Sequence, residues 1–331
     1  MINIISNINQ QNIQVSSKRP QHTAYDRSLK CDTVSFCSKN LLSKPSAEIT
    51  KKVLAAVNDA DSYIGEGIEG KAYKIKDSGY CVKVLNRTRD IPFGEWNLNI
   101  SPEHRVNHVV ARAENGATIM KYIEGKQLTF GENPKEVYSL PKESYRKILK
   151  QIHDAHKLYM EYDGAPANVI YNSKEKTLTA IDFLPCINVS EYTPFASLFS
   201  TLKHDKRNPG NELDNSLTGK LLNVALDELS KGKEQEIPVE KEDMIEFFRD
   251  VENSYSGDKN SGENIFPPQY KFLKKAFNEI FQLKQYERRG YSVEDDMAGK
   301  IKYARCIVNQ IFPPAPDNNN LFIRCIRTIL S

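Results

Sequence analysis

Gly65, Gly67 and Gly70 form a G-x-G-x-x-G run with Glu66 inside it. Glycines at that spacing let a backbone come close to a ligand, because any Cβ would hold the chain away. Three chemistries use such a run. A dinucleotide fold needs a buried strand before it and a helix after it; here Asp59-Ala60-Asp61-Ser62-Tyr63-Ile64 precedes and the strand-like AYKIKDSGYCVKV follows. A phosphate loop of the G-x-x-x-x-G-K type fits Gly65 to Lys71, but Ala72 lacks the hydroxyl that reaches Mg2+. A glycine hairpin folded over the phosphates of ATP, with a lysine on the next strand, fits both flanks. Lys83, in Tyr80-Cys81-Val82-Lys83, is then the cation for the α- and β-phosphates. Taken alone, Lys83 reads more simply as a strand-surface lysine, since exposed lysine is the norm.

A second cluster changes that balance. It comprises Glu161-Tyr162-Asp163-Gly164-Ala165-Pro166-Ala167-Asn168, followed by Ile181-Asp182-Phe183. Phosphoryl transfer needs an acceptor for the proton of the attacking hydroxyl, and oxygen ligands that hold Mg2+ against the phosphates. The carboxylate and amide five positions apart, Asp163 and Asn168, followed by a strand hairpin and the apolar-flanked Asp182-Phe183, supply those parts. Each piece is common singly; their order along the chain is much rarer by chance. Other clusters offer less. His104 with His108, and His153 with His156, stand at helical spacing without a nearby cysteine or a third fixed ligand, so no structural metal is expected. There is no G-x-S-x-G run, and no cysteine–histidine arrangement suggests a protease.

The elements that must carry these residues follow from the hydropathy pattern. Ala47–Val57 reads as a helix capped by Ser46 and ending an N-terminal tail. Residues 62 to 126 read as short strands, with a hairpin at Asp77-Ser78-Gly79 and a turn at Glu114-Asn115-Gly116 between Val106–Ala111 and Thr118–Ile123. From Lys142 the chain turns helical: Tyr145, Ile148, Leu149, Ile152 and Ala155 repeat at helical spacing in a stretch running to Met160. Strands are predicted at Asn168–Asn172 and Thr177–Phe183, joined by Lys174-Glu175-Lys176. Helices are predicted over Ser216–Leu229, Lys241–Val251, Gln269–Gln285, Glu294–Phe312 and Leu321–Leu330, with polar breaks at Asn253–Asn264 and Pro313–Asn320. Phe247, Phe248, Phe272, Phe277 and Phe281 read as a core stripe. Strands first and helices after argue for an α+β layout rather than alternating βαβ units.

A chain of 331 residues can build two lobes around a sizeable core. The net charge is +3 and the isoelectric point about 8.3, below the basic footprint of nucleic-acid binders, so no nucleic-acid partner is expected. No apolar run approaches the roughly 18 residues of a spanning helix, so no integral membrane association is expected. Cys31, Cys37, Cys81, Cys186, Cys306 and Cys325 are scattered, without C-x-x-C, and read as free thiols of a reducing compartment. The first 45 residues are rich in Asn, Gln, Ser and Ile and lack the pattern of a cleavable signal peptide. They read as a disordered tail.

Residues 64–184 resemble the protein-kinase-like fold. Asp163 and Asn168 resemble its catalytic-loop Asp and Asn, and Asp182-Phe183 resembles the start of the metal-binding Asp-Phe-Gly. Met120-Lys121-Tyr122-Ile123-Glu124-Gly125 is similar to the hinge that hydrogen-bonds adenine, with Met120 as gatekeeper. That hinge and Ser101-Pro102-Glu103-His104-Arg105 are most similar to divergent effector kinases that Gram-negative pathogens inject by type III secretion, the actin-remodelling kind above all.

The resemblance implies a bilobal α+β fold. It comprises a tail and secretion signal over 1–45, a small β-rich N-lobe over 46–125, and a helical C-lobe with a divergent helical extension over 126–331. It implies ATP and Mg2+ as cofactors, with Gly65, Glu66, Gly67, Gly70, Lys83, Glu103, Met120 and Tyr122 around the nucleotide. Glu103 or Glu95 would pair with Lys83. Asp163 and Lys83 would be catalytic, and Asn168 and Asp182 would hold the metal. The implied activity is phosphorylation of Ser/Thr, or Tyr, on host proteins and on itself, in the host cytoplasm, with a host activating cofactor as a further partner. Four departures stand out: Tyr162 replaces the catalytic-loop arginine, Ala165 a lysine, and Leu184 a glycine, and no Ala-Pro-Glu follows. Tyr162 implies activity without activation-loop phosphorylation. A small-molecule kinase of the aminoglycoside or lipopolysaccharide-core type, an AMP transferase and a pseudokinase adaptor remain alternatives.

Overall fold

The computed structural model describes residues 47–67, 70–85, 109–112, 117–129, 133–158, 160–185, 193–203, 212–256 and 268–313. The fold is α+β, with a β-rich N-terminal part and a helical C-terminal part. Helix α1 (Ala47–Val57) has the predicted bounds, yet it does more than end a tail. It packs Ile49, Val53, Ala56 and Val57 against Ile75, Val82, Ala117 and Ile119, and so belongs to the core of the sheet that follows.

That sheet is antiparallel, with strands β1 (Tyr63–Glu66), β2 (Gly70–Ile75), β3 (Tyr80–Leu85), β4 (Val109–Arg112) and β5 (Thr118–Lys121) in the order β1-β2-β3-β5-β4. The β2–β3 hairpin turns where predicted. Asp77 and Gly79 take the left-handed backbone, and the Ser78 hydroxyl donates to the Ile75 carbonyl at 2.7 Å. Strand side chains alternate between faces. Tyr73, Ile75, Val82, Val84 and Ile119 therefore face α1, and the residues that alternate with them along the strands, Ala72, Lys74, Cys81, Lys83, Thr118 and Met120, face the other way.

In the C-terminal part, β6 (Lys126–Gln127) leads to helix α2 (Lys142–Lys157) and then to β7 (Met160–Tyr162), β8 (Val169–Asn172), β9 (Thr177–Ala180) and β10 (Phe183–Pro185). Helices α3 (Ala196–Lys203), α4 (Glu212–Ser230), α5 (Lys241–Ser256), α6 (Pro268–Arg288) and α7 (Glu294–Ile311) follow. Several expectations are corrected. Helix α2 stops at Lys157, because Met160 pairs with Pro185 of β10 and tertiary pairing overrides the helical run. The predicted strand Thr177–Phe183 is two strands, broken at Asp182, whose φ of 64° turns the chain from one sheet to another. Helix α5 runs through Asn253 to Ser256, so the polar break begins later than predicted. Helix α3 was not foreseen. Phe272 is 54 % exposed and leaves the core stripe, since the inward face of α6 is Tyr270, Leu273, Phe277 and Phe281. The Ser46 cap, the helix at Leu321–Leu330 and the tail over 1–45 lie outside the described residues, as do Glu95, Glu103 and His104.

One core cluster runs through the helical part from Leu128 to Phe312. Inside it the fully buried Glu228 carboxylate of α4 accepts from Arg146 Nε of α2 at 3.0 Å, from Lys231 Nζ at 2.7 Å and from the Ile237 amide at 3.3 Å. A buried carboxylate is tolerable only when it is so fully partnered.

Candidate functional site

The glycine run is the β1–β2 hairpin. Gly65 pairs with Ala72, Glu66 pairs with Lys71, and the Gly67 amide donates to the Gly70 carbonyl at 2.9 Å. Among the described residues nothing lies within 4 Å of a Cβ built on Gly65 or Gly67. The fold's own packing therefore does not require glycine at either position.

Lys83 leaves β3 on the face away from α1, because Val82 and Val84 point toward that helix. Its ammonium lies 3.5 Å from Asp182 Oδ1, with 24 % of the lysine side chain and 40 % of the aspartate side chain exposed. Ala72, small and opposite Lys83 in the register, leaves that face open. Met120 lies on the same face, opposite Cys81. Tyr122 lies just beyond β5, and its amide donates to the Gly79 carbonyl at 2.9 Å. Its ring has Lys74 Nζ 4.3 Å above the centroid. The Tyr122 amide and ring are thus engaged by the sheet itself. The Cys81 thiol is pushed up to about 11 by burial and stays protonated.

The second half of the site is built by the end of β7 and the start of β10. These strands pair Tyr162 with Phe183, so Asp163 and Asp182, next along each strand, stand at the same end of the ladder. After β7 the chain folds tightly. The Ala165 amide donates to the Asp163 carbonyl at 2.7 Å, and the Asn168 amide to the Ala165 carbonyl at 2.8 Å. Asn168 Nδ2 donates to the Asp163 carbonyl at 3.1 Å. The Asn168 carbonyl accepts from the Ile181 amide at 2.7 Å, which ties the loop to the residue before Asp182. Asp163 is exposed. Burial, with Glu246 and Asp163 close by, pushes the Glu161 carboxyl up from its ordinary value.

The oxygen donors fit Mg2+. Asn168 uses its amide nitrogen on the loop, leaving its oxygen for a ligand, and Asp182 offers a part-exposed carboxylate beside it in the fold. Hard oxygen ligands of this kind, one or two carboxylates plus phosphate, are what Mg2+ takes. The structure thus brings Lys83, Asp163, Asn168 and Asp182 together, with the glycine hairpin and Met120 on the sheet above. Glu103, expected beside Lys83, lies outside the described residues.

Sequence reasoning assigned no contact to three residues here. Gly164 is pressed against α3, where a Cβ would meet the Ser197 carbonyl oxygen at 2.2 Å. Ser197 Oγ donates to the Tyr162 carbonyl at 3.0 Å. The Tyr162 hydroxyl donates to the Ala165 carbonyl at 3.1 Å. A glycine directly after the acid was the only available signal, and it marks a close approach without saying to what.

No protein-family model matches the sequence, and no curated protein matches it. Among solved structures, choline kinase LicA from Streptococcus pneumoniae is similar at a TM-score of 0.31 and 14 % identity, over 80 % of this chain and 98 % of that one. At that TM-score the likeness carries no functional argument, and the reading of the site rests on its own geometry.

Proposed function

We propose that this chain is an ATP-dependent phosphotransferase that moves the γ-phosphoryl group of ATP to a hydroxyl. The observation that carries the reading is the approach of Lys83 from the sheet to within 3.5 Å of Asp182, beside the loop that presents Asp163 and Asn168. Few other tasks need a cation, a base and two oxygen donors under a glycine hairpin. The backbone of Gly65–Gly70 covers the phosphates, and Lys83 holds the α- and β-phosphates by charge-assisted hydrogen bonds. Asp163 takes the proton of the acceptor hydroxyl as its oxygen bonds to the γ-phosphorus. The bond from that phosphorus to the bridging oxygen breaks, and ADP leaves. Asn168 and Asp182 would hold Mg2+, which supplies neutralisation of the charge on the phosphate oxygens.

In this reading the acceptor is a Ser, Thr or Tyr hydroxyl of a host protein, and of the chain itself. The enzyme reaches the host cytoplasm by type III secretion, and a host cofactor is a candidate activator there. Support comes from the hinge-like Met120–Gly125, the Asp163…Asn168 spacing and the Asn/Gln/Ser-rich first 45 residues.

The test incubates the purified chain with Mg2+ and γ-labelled ATP, alone and with a eukaryotic lysate, beside an α-labelled lane, Lys83→Met and Asp182→Ala. Label from the γ-position on protein, lost in both variants, is the expected result. Asp182→Ala with full activity ends the assignment. Label from the α-position makes the chain an AMP transferase, and γ-label found on a small molecule other than ATP and inorganic phosphate, and on no protein, makes it a small-molecule kinase.

A further inference from the structure

Tyr162 is 2 % exposed, and its ring packs on Phe183 at 5.5 Å between centroids. It therefore joins the two strand ends from which Asp163 and Asp182 project. Its hydroxyl donates to the Ala165 carbonyl and its own carbonyl accepts from Ser197 Oγ. The residue thus ties the loop both to itself and to helix α3. Gly164 between them lets the loop backbone sit against Ser197, where any side chain would collide. The phenol is a permanent donor: burial, then the nearby Asp163 and Asp182 carboxylates, hold its proton on well above the ordinary value. Every contact in this clamp is neutral, and every partner is in the chain.

We infer that Tyr162 and Ser197 are positioning residues of the phosphotransfer site, which hold the Asp163–Asn168 loop in its working shape without any phosphate. The inference rests on the phosphotransferase reading, but it can fail separately. Tyr162→Phe keeps the ring and its contact with Phe183 and deletes only the donor. Ser197→Ala deletes the second tie from another element, and Ser197→Thr keeps it.

Two readouts test the clamp. In hydrogen exchange followed by mass spectrometry, the peptide over 163–168 should exchange faster in Tyr162→Phe and Ser197→Ala and at the wild-type rate in Ser197→Thr. Unchanged exchange in both deletions overturns the clamp whether or not the chain is an enzyme. In the kinase assay, each deletion should lower kcat about tenfold, the scale of one lost hydrogen bond, with KM for ATP unchanged and with Ser197→Thr restoring the rate. Deletion variants with wild-type kcat overturn the positioning role. Phosphatase-treated wild type should keep its full rate, and loss of that rate overturns the independence from phosphate. Absence of transfer by the wild type counts against the function, while the exchange data still decide the clamp.

Discussion

Gly65 and Gly164 are the same residue type in two opposite surroundings. A methyl group on Gly65 would meet open space among the described residues, whereas one on Gly164 would press into the backbone of Ser197 and Leu198. The second glycine therefore serves the fold, and in the phosphotransferase reading the first serves the nucleotide beneath the hairpin. Gly65→Ala should leave the urea midpoint unchanged and raise KM for ATP several-fold, because the Cβ keeps the backbone off the phosphates. Gly164→Ala should cost about 1–3 kcal/mol of stability, the usual penalty of overpacking, and lower kcat by displacing Asp163. Unfolding curves and ATP titrations on the two variants separate these outcomes. The sequence made Asp163, Asn168, Asp182 and Lys83 legible because their chemistry is carried by residue type and order. It left the ties made by Tyr162 and Ser197 hidden, since Tyr162 was legible only as the residue in place of an arginine, and a hydroxyl that bonds a carbonyl three residues on has no sequence signal.

Elements with an uninterrupted pattern were read closely: α1 to the residue, the β2–β3 hairpin to its turn, and α4 to α7 within a few residues at each end. Two of the misses share one cause. The end of α2 before Met160 and the break at Asp182 are set by the β7–β10 ladder, a long-range pairing with no local period. Helix α5 shows a second property of element ends. Asp243, at its third residue, reaches back so that Oδ2 accepts from the Glu240 amide at 2.8 Å. The carboxyl is buried, which pushes it up to about 7 against the lowering effect of that amide. The folded state thus binds the Asp243 proton more tightly than the unfolded chain, whose carboxyl titrates near 4. Its contribution is fully present below pH 4 and is lost as pH rises through 7. Asp243→Asn keeps an acceptor and cannot ionise. Urea unfolding of wild type and Asp243→Asn between pH 4 and 8 should diverge as pH rises, by on the order of 3 kcal/mol in favour of the variant. Parallel curves refute the buried-acid account. The comparison cancels His153, whose imidazole is pushed down by burial and whose effect has the opposite sign.

Across the molecule, the site joins residues that the chain keeps far apart: Lys83 rides on the sheet built with α1, and Asp182 precedes the first strand residue zipped to β7. The order of these motifs was legible in the sequence, while their meeting was implied only by the resemblance, because it depends on which face of β3 packs on α1. A ligand that touches both halves must stabilise both. ATP with Mg2+ at a hundred times its dissociation constant should therefore raise the unfolding free energy by about 2.7 kcal/mol, in one transition rather than two. Chelating the metal, or replacing Asp182 by Ala, should remove the metal-dependent share of that gain while leaving a smaller effect of ATP alone through Lys83. Lys83→Met should remove the metal-free share. The measurement is the urea midpoint with ATP, with ATP and Mg2+, and with ATP and EDTA, for the three proteins. A gain that ignores the metal in wild type would take Asn168 and Asp182 out of the ligand set. A gain confined to one of two separated transitions would mean that the nucleotide sits on a single half, and that the 3.5 Å approach of Lys83 to Asp182 is an ion pair of the fold and nothing more.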